Sequence, residues 1–504
     1  MKKFISVILV ISMLMVLCAC GKNENNEPTQ TEEYVLPTQI IDADISLPYT
    51  SSDVFYPYSA KSGYNRDLIP VIYESLFTPT LDGNALPQLA ISGTIEGKRV
   101  TVKLLSGVKF TDGVLLTADY VKVSYDRAKS NAYYKASLSN VSSVTVKDKY
   151  TIVFNLINPD YMALNVLTFP IIRLSGKEYI GSGKYSVEYL DDIPYLQVNV
   201  NHRDFNVDWN KQIALCDMAG VSSPVYPFKA NEISVYKNDL SGGTYTNLSS
   251  KTISQNTNNF VYVGVNSKWQ GSVTCNKWVR QAINIGIDRS VITASSFLGQ
   301  GVPTVTPFRE QNYRLDLTNI AGVKGDTEKA VAILERNGYN KVNDKGFRTN
   351  GSNTLSVSIL VCSQNQYKLH VAEALKKSLV ELGFNAYIVD KKTEEEFKKA
   401  LSEGHYGLYI GETVMTDNCD MSGFFTENGA TSYGVDSEFF AEYSAYRSGE
   451  LSATEFAESL VTNVPIISLF YRKAVISVNP NVIGIDETGN VYAGVCNWKV
   501  SDNI

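Results

Sequence analysis

The stretch Leu355 to Ile410, LSVSILVCSQNQYKLHVAEALKKSLVELGFNAYIVDKKTEEEFKKALSEGHYGLYI, decides the fold. Leu355, Val357, Ile359 and Val361 fall at every second position, the period of a strand. Tyr367, Val371, Leu375 and Leu379 recur every four residues and mark a helix that Gly383 stops. Phe384 to Val389 reads as a second strand, Glu394 to Leu401 as a charged amphipathic helix, and Tyr406 to Ile410 as a third strand. The order β-α-β-α-β needs parallel strands joined by right-handed crossovers. Ligands on such sheets bind beyond the carboxyl ends of the strands. The third strand therefore delivers Gly411 to Asp420, GETVMTDNCD, to a site.

Upstream, Val279, Ile283 and Ile287 recur every four residues with Ala282 alongside, which predicts one helix over 278–298, ended by Gly299, Gly301 and Pro303. A further helix is expected over Asp326 to Leu334. Residues 186–270 are strand-prone and end in Phe260 to Asn266, FVYVGVN. Residues 77–182 read as a smaller, hairpin-rich unit, with Glu96-Gly97-Lys98 and Asp148-Lys149 each separating two strand-like runs. Inside it, Val102 to Ala128 reads as a strand, turns at Gly107 and Asp112-Gly113, and a helix. Thr117 is placed to cap that helix, with Asp119 near its positive end.

At 504 residues the chain exceeds one compact core, and two or three packing units are expected. A formal net charge of -6 argues against a nucleic-acid partner, which needs a concentrated basic surface. Cys216, Cys275, Cys362, Cys419 and Cys496 are far apart and odd in number, so neither a zinc site nor a disulfide framework is expected. Only His202, His370 and His405 supply imidazole, and no metal site or cofactor is expected from them. No Gly-x-Ser-x-Gly elbow and no His-Glu-x-x-His is present.

At the N-terminus, Lys2 and Lys3 precede an apolar run from Phe4 to Ala19, the pattern of a secretion signal over residues 1–19. Leu17-Cys18-Ala19-Cys20-Gly21 resembles the bacterial lipobox, which implies that Cys20 carries a lipid. The polar stretch to residue 33 then serves as a tether. A lipid and a tether hold a domain at the outer face of a membrane without spanning it.

Leu-x-x-Gly-Val-Lys-Phe-x-Asp-Gly-x-x-Leu-Thr-Ala-Asp-x-Val, at Leu104 to Val121, resembles the signature of family 5 extracellular solute-binding proteins, the peptide and nickel receptors of ATP-driven importers. Tyr73-Glu74-Ser75-Leu76-Phe77, Asp82-Gly83, Pro87-Gln88-Leu89-Ala90, Gly181-Ser182-Gly183-Lys184-Tyr185, Arg280 to Asn284 and Pro465 to Tyr471 resemble further family segments. The resemblance implies an α/β, two-lobed periplasmic-binding-protein-like fold (type II, cluster C-like) with an extra small subdomain. Lobe I would combine 34–76, 183–270 and 475–504, and lobe II would be 271–474.

The resemblance also implies an expected site. The first loop brings Tyr49, Ser52, Tyr58 and Asn65 beside a cleft. Asp417 takes the place of the aspartate that pairs with a peptide's α-ammonium, and Asp420 that of the second aspartate. Glu412 stands for the usual tryptophan, and Asn418 and Met421 for a tyrosine and a proline, which suits a polar or cationic guest. Backbone groups of Thr413, Val414 and Met415 are expected to pair with an extended peptide. Asn428 and Tyr433 are expected on the far side of the pocket. Expected partners are a peptide or other small solute and the permease and ATPase subunits of an importer, with the receptor a monomer. An extracellular hydrolase and a peptide-signal sensor are the opposing readings.

Overall fold

A computed structural model describes residues 41, 43–79, 85–309, 315, 322–485 and 490–501. The signal segment, Cys20, the tether and the Asp82-Gly83 pair lie outside the described residues.

The first lobe opens with β1 (Ser46–Tyr49) and α1 (Gly63–Ile72). The chain then builds the small unit. Its four-stranded sheet is formed by β4 (Ala90–Glu96), β5 (Arg99–Leu104), β6 (Val141–Asp148) and β7 (Thr151–Leu156), in the order β4-β5-β7-β6. Short hairpins β2 (Phe77–Pro79) with β3 (Ala85–Pro87) and β8 (Arg173–Ser175) with β9 (Glu178–Ile180) flank it. The helix α2 (Ala118–Ser130) lays Val121, Tyr125 and Ala128 on a core with Phe110, Phe154 and Phe169. Thr117 occupies the cap position with extended backbone, but its side chain makes no capping bond.

Gly181 and Gly183 return the chain to the first lobe. A Cβ on Gly181 would lie 2.1 Å from the Ile72 carbonyl oxygen and one on Gly183 2.4 Å from that of Val71, so the turn presses against α1 as only glycine allows. The strands β10 (Tyr185–Leu190), β11 (Ile193–Val198) and β12 (Gln212–Asp217) complete a sheet of order β1-β12-β11-β10. Leu47, Leu68, Leu196, Ile213 and Trp498 form part of its core.

Two strands cross between the lobes. The first-lobe strand β13 (Val235–Asn238) is followed by β14 (Lys251–Val265), which begins with Ile253 in the first-lobe core and ends with Val261, Val263 and Val265 in the second. The crossing thus falls inside β14 rather than near residue 270, because the apolar half of the strand packs beneath the second lobe's first helix. The second lobe then runs α3 (Lys277–Gly286), α4 (Arg289–Ala294), β15 (Gly301–Pro303), α5 (Thr327–Arg336), β16 (Ser356–Cys362), α6 (Gln366–Glu381), β17 (Asn385–Lys391), α7 (Glu394–Glu403), β18 (Leu408–Val414), α8 (Glu438–Ser448) and α9 (Ala453–Asn463). The chain returns through β19 (Ile466–Val478).

The seven-stranded sheet has the order β13-β19-β14-β18-β16-β17, with β15 on β19. β16 lies between β17 and β18 and is parallel to both. Alternate residues of its strands feed two cores. Val261, Ile359 and Ile410 face α3, α5 and α6, whereas Phe260, Leu360 and Tyr409 face α7, α8 and α9. The expected helix over 278–298 is broken at Ile287, which is extended. Asp288 caps α4 by accepting from the Val291 N–H. The break inserts Arg289 into the interior, where it donates to the carbonyls of Ser468 (2.7 Å) and Asn284 (3.1 Å).

The β14–β19 ladder is interrupted where it spans the lobes. Asn256 faces Lys473 and Phe260 faces Tyr471, so Thr257, Asn258 and Asn259 bulge opposite Arg472 alone.

Candidate functional site

The bulge lies beside the carboxyl end of β18, where the sheet topology directs a ligand. The Asn258 carbonyl accepts the Met415 N–H at 2.8 Å, which extends the β14–β18 register past Asn259↔Val414. Hydrogen-bonded pairs alternate along an antiparallel ladder, so Thr413 and Met415 spend their backbone groups on β14. Those of Val414 turn to the other edge, and its side chain is 67% exposed. On that edge the parallel register with β16 covers Leu408 and Tyr409, and β16 ends at Cys362.

Glu412 is held within a charge network. Its Oε1 accepts from Arg472 Nε at 2.8 Å and from Asn259 Nδ2 at 3.2 Å, and its Oε2 lies 3.7 Å from Lys368 Nζ. Arg472 is fully buried and also reaches Asp239 (2.9 Å) and the Ser241 hydroxyl (2.6 Å), both in the segment that links β13 to β14. Asn365, the cap of α6, donates to the Ser241 carbonyl, so the second lobe grips the same linker.

Asp417 accepts from Asn258 Nδ2 at 2.6 Å. Burial raises its carboxyl above the ordinary range, against the lowering effects of Asn258 and the Arg309 charge. Arg309 donates to the Thr257 carbonyl and to Asn258 Oδ1, and its guanidinium lies 4.2 Å from the centre of the Tyr471 ring. The bulge therefore fixes Asp417 and Arg309 together.

The far end of the ribbon meets the small unit. Asn418 Nδ2 donates to Asp160 Oδ2 at 2.7 Å, and Arg447 lies 3.7 Å from the same oxygen. Burial raises the Asp160 carboxyl, with Arg447 and Asn418 opposing. Asp420 accepts from Tyr443 and from the Ser422 N–H (2.8 Å), with Ser139 of the small unit at 3.4 Å.

Other expected residues stand elsewhere. Asn65 is fully buried: it accepts from the Thr50 N–H and donates to the carbonyls of Thr50 and Val54, so it shapes the first loop from beneath. Tyr58 donates to the Pro170 carbonyl and packs edge-on against Tyr134. Ser52 shares a hydrogen bond with Thr50, and Tyr49 stacks on Phe55 inside the first lobe.

Asn428 is exposed, and Tyr433 packs on the core that contains Tyr406 and Tyr409. The adjoining Gly434 carbonyl accepts from the Ser267 N–H, past the end of β14. Eight residues of strand separate Asn258 from Asn266, roughly 26 Å at 3.3 Å each. The structure therefore does not bring Tyr433 to Asp417.

Sequence reasoning missed Arg472, Lys368, Arg309, Asn258, Asn259 and Asp160. The polar run Gln255 to Asn259 inside an otherwise apolar strand was the available signal for the bulge. Among the described residues the five cysteines from Cys216 to Cys496 form no disulfide. Among the described residues no group of three or more His, Cys, Asp or Glu is placed to hold a metal ion.

Two lobes joined by two crossing strands, with a polar site where those strands meet a parallel sheet, define the class of bacterial two-lobed binding proteins. Residues 84–434 match the family described as bacterial extracellular solute-binding proteins, family 5 Middle, and the chain belongs to that family. It is 23% identical to the oligopeptide-binding protein AppA of Bacillus subtilis over 425 residues, which cover 76% of each chain. Its fold is similar to that of an ABC transporter substrate-binding protein from Sinorhizobium meliloti, with a TM-score of 0.70, 17% identity, and coverage of 91% of this chain and 100% of that one. It is also similar to NikA from Brucella suis in complex with Fe(III)-EDTA, with a TM-score of 0.66, 17% identity, and coverage of 90% and 100%. No helix among the described residues is long and apolar enough to cross a membrane.

Proposed function

We propose that this chain is the receptor of an ATP-driven importer. It captures an oligopeptide or comparable small solute between its lobes and passes it to a permease. The observation that carries the reading is the position of the Gly411–Asp420 ribbon. It is tied to the interlobe bulge through Asp417–Asn258 and to the small unit through Asn418–Asp160. A guest held at that junction touches every part that must move when the lobes close.

The turned-out edge at Val414 suits an added extended strand, whose backbone bonds fix no side-chain preference. Asp417 is the anchor for a cationic end of the guest. Glu412 serves instead as the counter-charge of Arg472, because its carboxylate is already engaged. Asn65 and Asp420 act as positioning residues.

Native mass spectrometry of the full chain with a peptide mixture tests the reading. Retention of unmodified peptide at one-to-one stoichiometry is expected, and hydrolysis of the mixture would overturn it. We also propose that Cys20 is acylated and that the mature receptor is a monomer at the outer face of the cell membrane. Cys20→Ala is expected to move the protein from the membrane fraction to the medium. A variant that stays with the membrane would refute the anchor.

A further inference from the structure

The first lobe and the small unit enclose a cavity of about 860 Å³ between the first loop, the β8–β9 hairpin and β10. The volume falls within the range of small-molecule sites. Its lining runs from Tyr49 to Pro194 and includes no residue of the second lobe, so the cavity is separate from the ribbon.

Its walls are aromatic. Tyr56 stacks on Tyr179 with ring centres 3.4 Å apart, and the Tyr73 hydroxyl donates to the Tyr179 carbonyl, which holds the hairpin beneath the stack. Tyr189, on β10, is 62% exposed. An exposed ring beside a cavity offers its electron-rich face to a cation.

The lining is predominantly acidic. Asp53, Asp112, Glu178, Glu188 and Asp192 contribute carboxylates, and Lys177 alone is basic. Two of these acids are already engaged, Asp53 by the N–H groups of Lys61 and Ser62, and Asp112 by Arg173. Glu178, Glu188 and Asp192 are exposed and form no ion pair among the described residues, and Glu188 accepts only the Ser186 hydroxyl. The lining carboxylates are not grouped as a metal site would require. A roomy, tyrosine-walled, electronegative cavity without convergent ligands suits a cation that is large and partly apolar.

We propose that this cavity is a second ligand site, which takes an organic cation: a protonated amine or quaternary ammonium on an apolar body. The site stands independently of the interlobe reading. Calorimetry of the full chain with choline and with cadaverine tests it, with the neutral carbon analogue of choline as control. At least one cation is expected to bind and the analogue not to. Added salt is expected to weaken binding.

The exposed positions allow substitution without disturbing the core. Glu188→Gln combined with Asp192→Asn is expected to weaken the cation about tenfold, and Tyr189→Ala about threefold. Absence of heat with both cations, equal binding of the neutral analogue, or unaltered affinity in the two first-lobe variants would overturn the proposal. Loss of choline binding in Asp417→Asn alone would assign the cation to the interlobe site and overturn it equally.

Discussion

Glu74 ties the first lobe to the small unit. It is buried, and its carboxylate accepts from the Ser182 hydroxyl at 2.9 Å and from Arg203 at 3.0 and 2.7 Å, with His202 at 3.5 Å. Burial pushes its carboxyl up, but the hydrogen bonds from His202 and Arg203 and the Arg203 charge outweigh it and hold the pKa below the ordinary 4.5. A depressed folded-state pKa stabilises the fold above the unfolded value and loses that contribution as pH falls through the folded value. Glu74→Gln is expected to cost about 1.5–3 kcal/mol at neutral pH, the scale of a charged hydrogen bond. In denaturant titrations the gap to the wild type should narrow as pH falls from 4.5, and a gap independent of pH would refute the ionic role.

Asp417 presents the opposite case, because burial leaves its pKa raised. Asp417→Asn should weaken a cationic guest by about 1.5–3 kcal/mol. Wild-type affinity should begin to fall at a pH above the ordinary 3.8 of an aspartate, where the raised carboxyl takes up its proton. Calorimetry across pH measures both effects, and equal affinity in the variant would remove Asp417 from the site.

At the scale of the element, β14 and β18 interlock through two glycines. Gly264 faces Tyr409 and Gly411 faces Tyr262 across the ladder, and each tyrosine ring covers the opposing glycine. A Cβ on Gly411 would lie 2.3 Å from the fully buried Tyr262 ring. Gly411→Ala is expected to destabilise the second lobe by about 1–3 kcal/mol through overpacking, read as a lowered unfolding midpoint. An unchanged midpoint would show that the ring can move.

Such elements also mark how far the sequence was legible. The alternation in Leu355–Val361 and the four-residue period in Tyr367–Leu379 expressed burial on one face, and both elements stand where the pattern put them. The break at Ile287 was hidden, because it depends on the Ser468 carbonyl accepting from Arg289 across 179 residues of chain. Glu412 read as a free carboxylate for the same reason: its partner Arg472 lies 60 residues away, on the returning strand. Periodicity reports what an element does to its own side chains. It is silent on which distant charge the topology brings alongside.

At the scale of the whole molecule, three junctions among the described residues tie the second lobe to the rest of the chain. The bulged β14–β19 ladder is covalently continuous and deformable, since three residues there face one. Arg472 pins the linker to the second lobe through Asp239 and Ser241. The third place, Asp160 with Asn418 and Arg447, joins parts of the chain that no strand connects, so it can open without unfolding either lobe. Asp160 is 7% exposed, and removing it takes away the carboxylate that faces both the Asn418 amide and the Arg447 guanidinium. Asp160→Ala is therefore expected to shift the lobes toward separation by about 1.5–3 kcal/mol. The radius of gyration from small-angle scattering should rise in the variant and fall back when a guest is added, because a guest favours the closed form by its differential affinity. The unfolding midpoint should change little, since neither lobe core contains Asp160. A variant with an unaltered scattering profile would show that the crossing strands alone set the angle between the lobes.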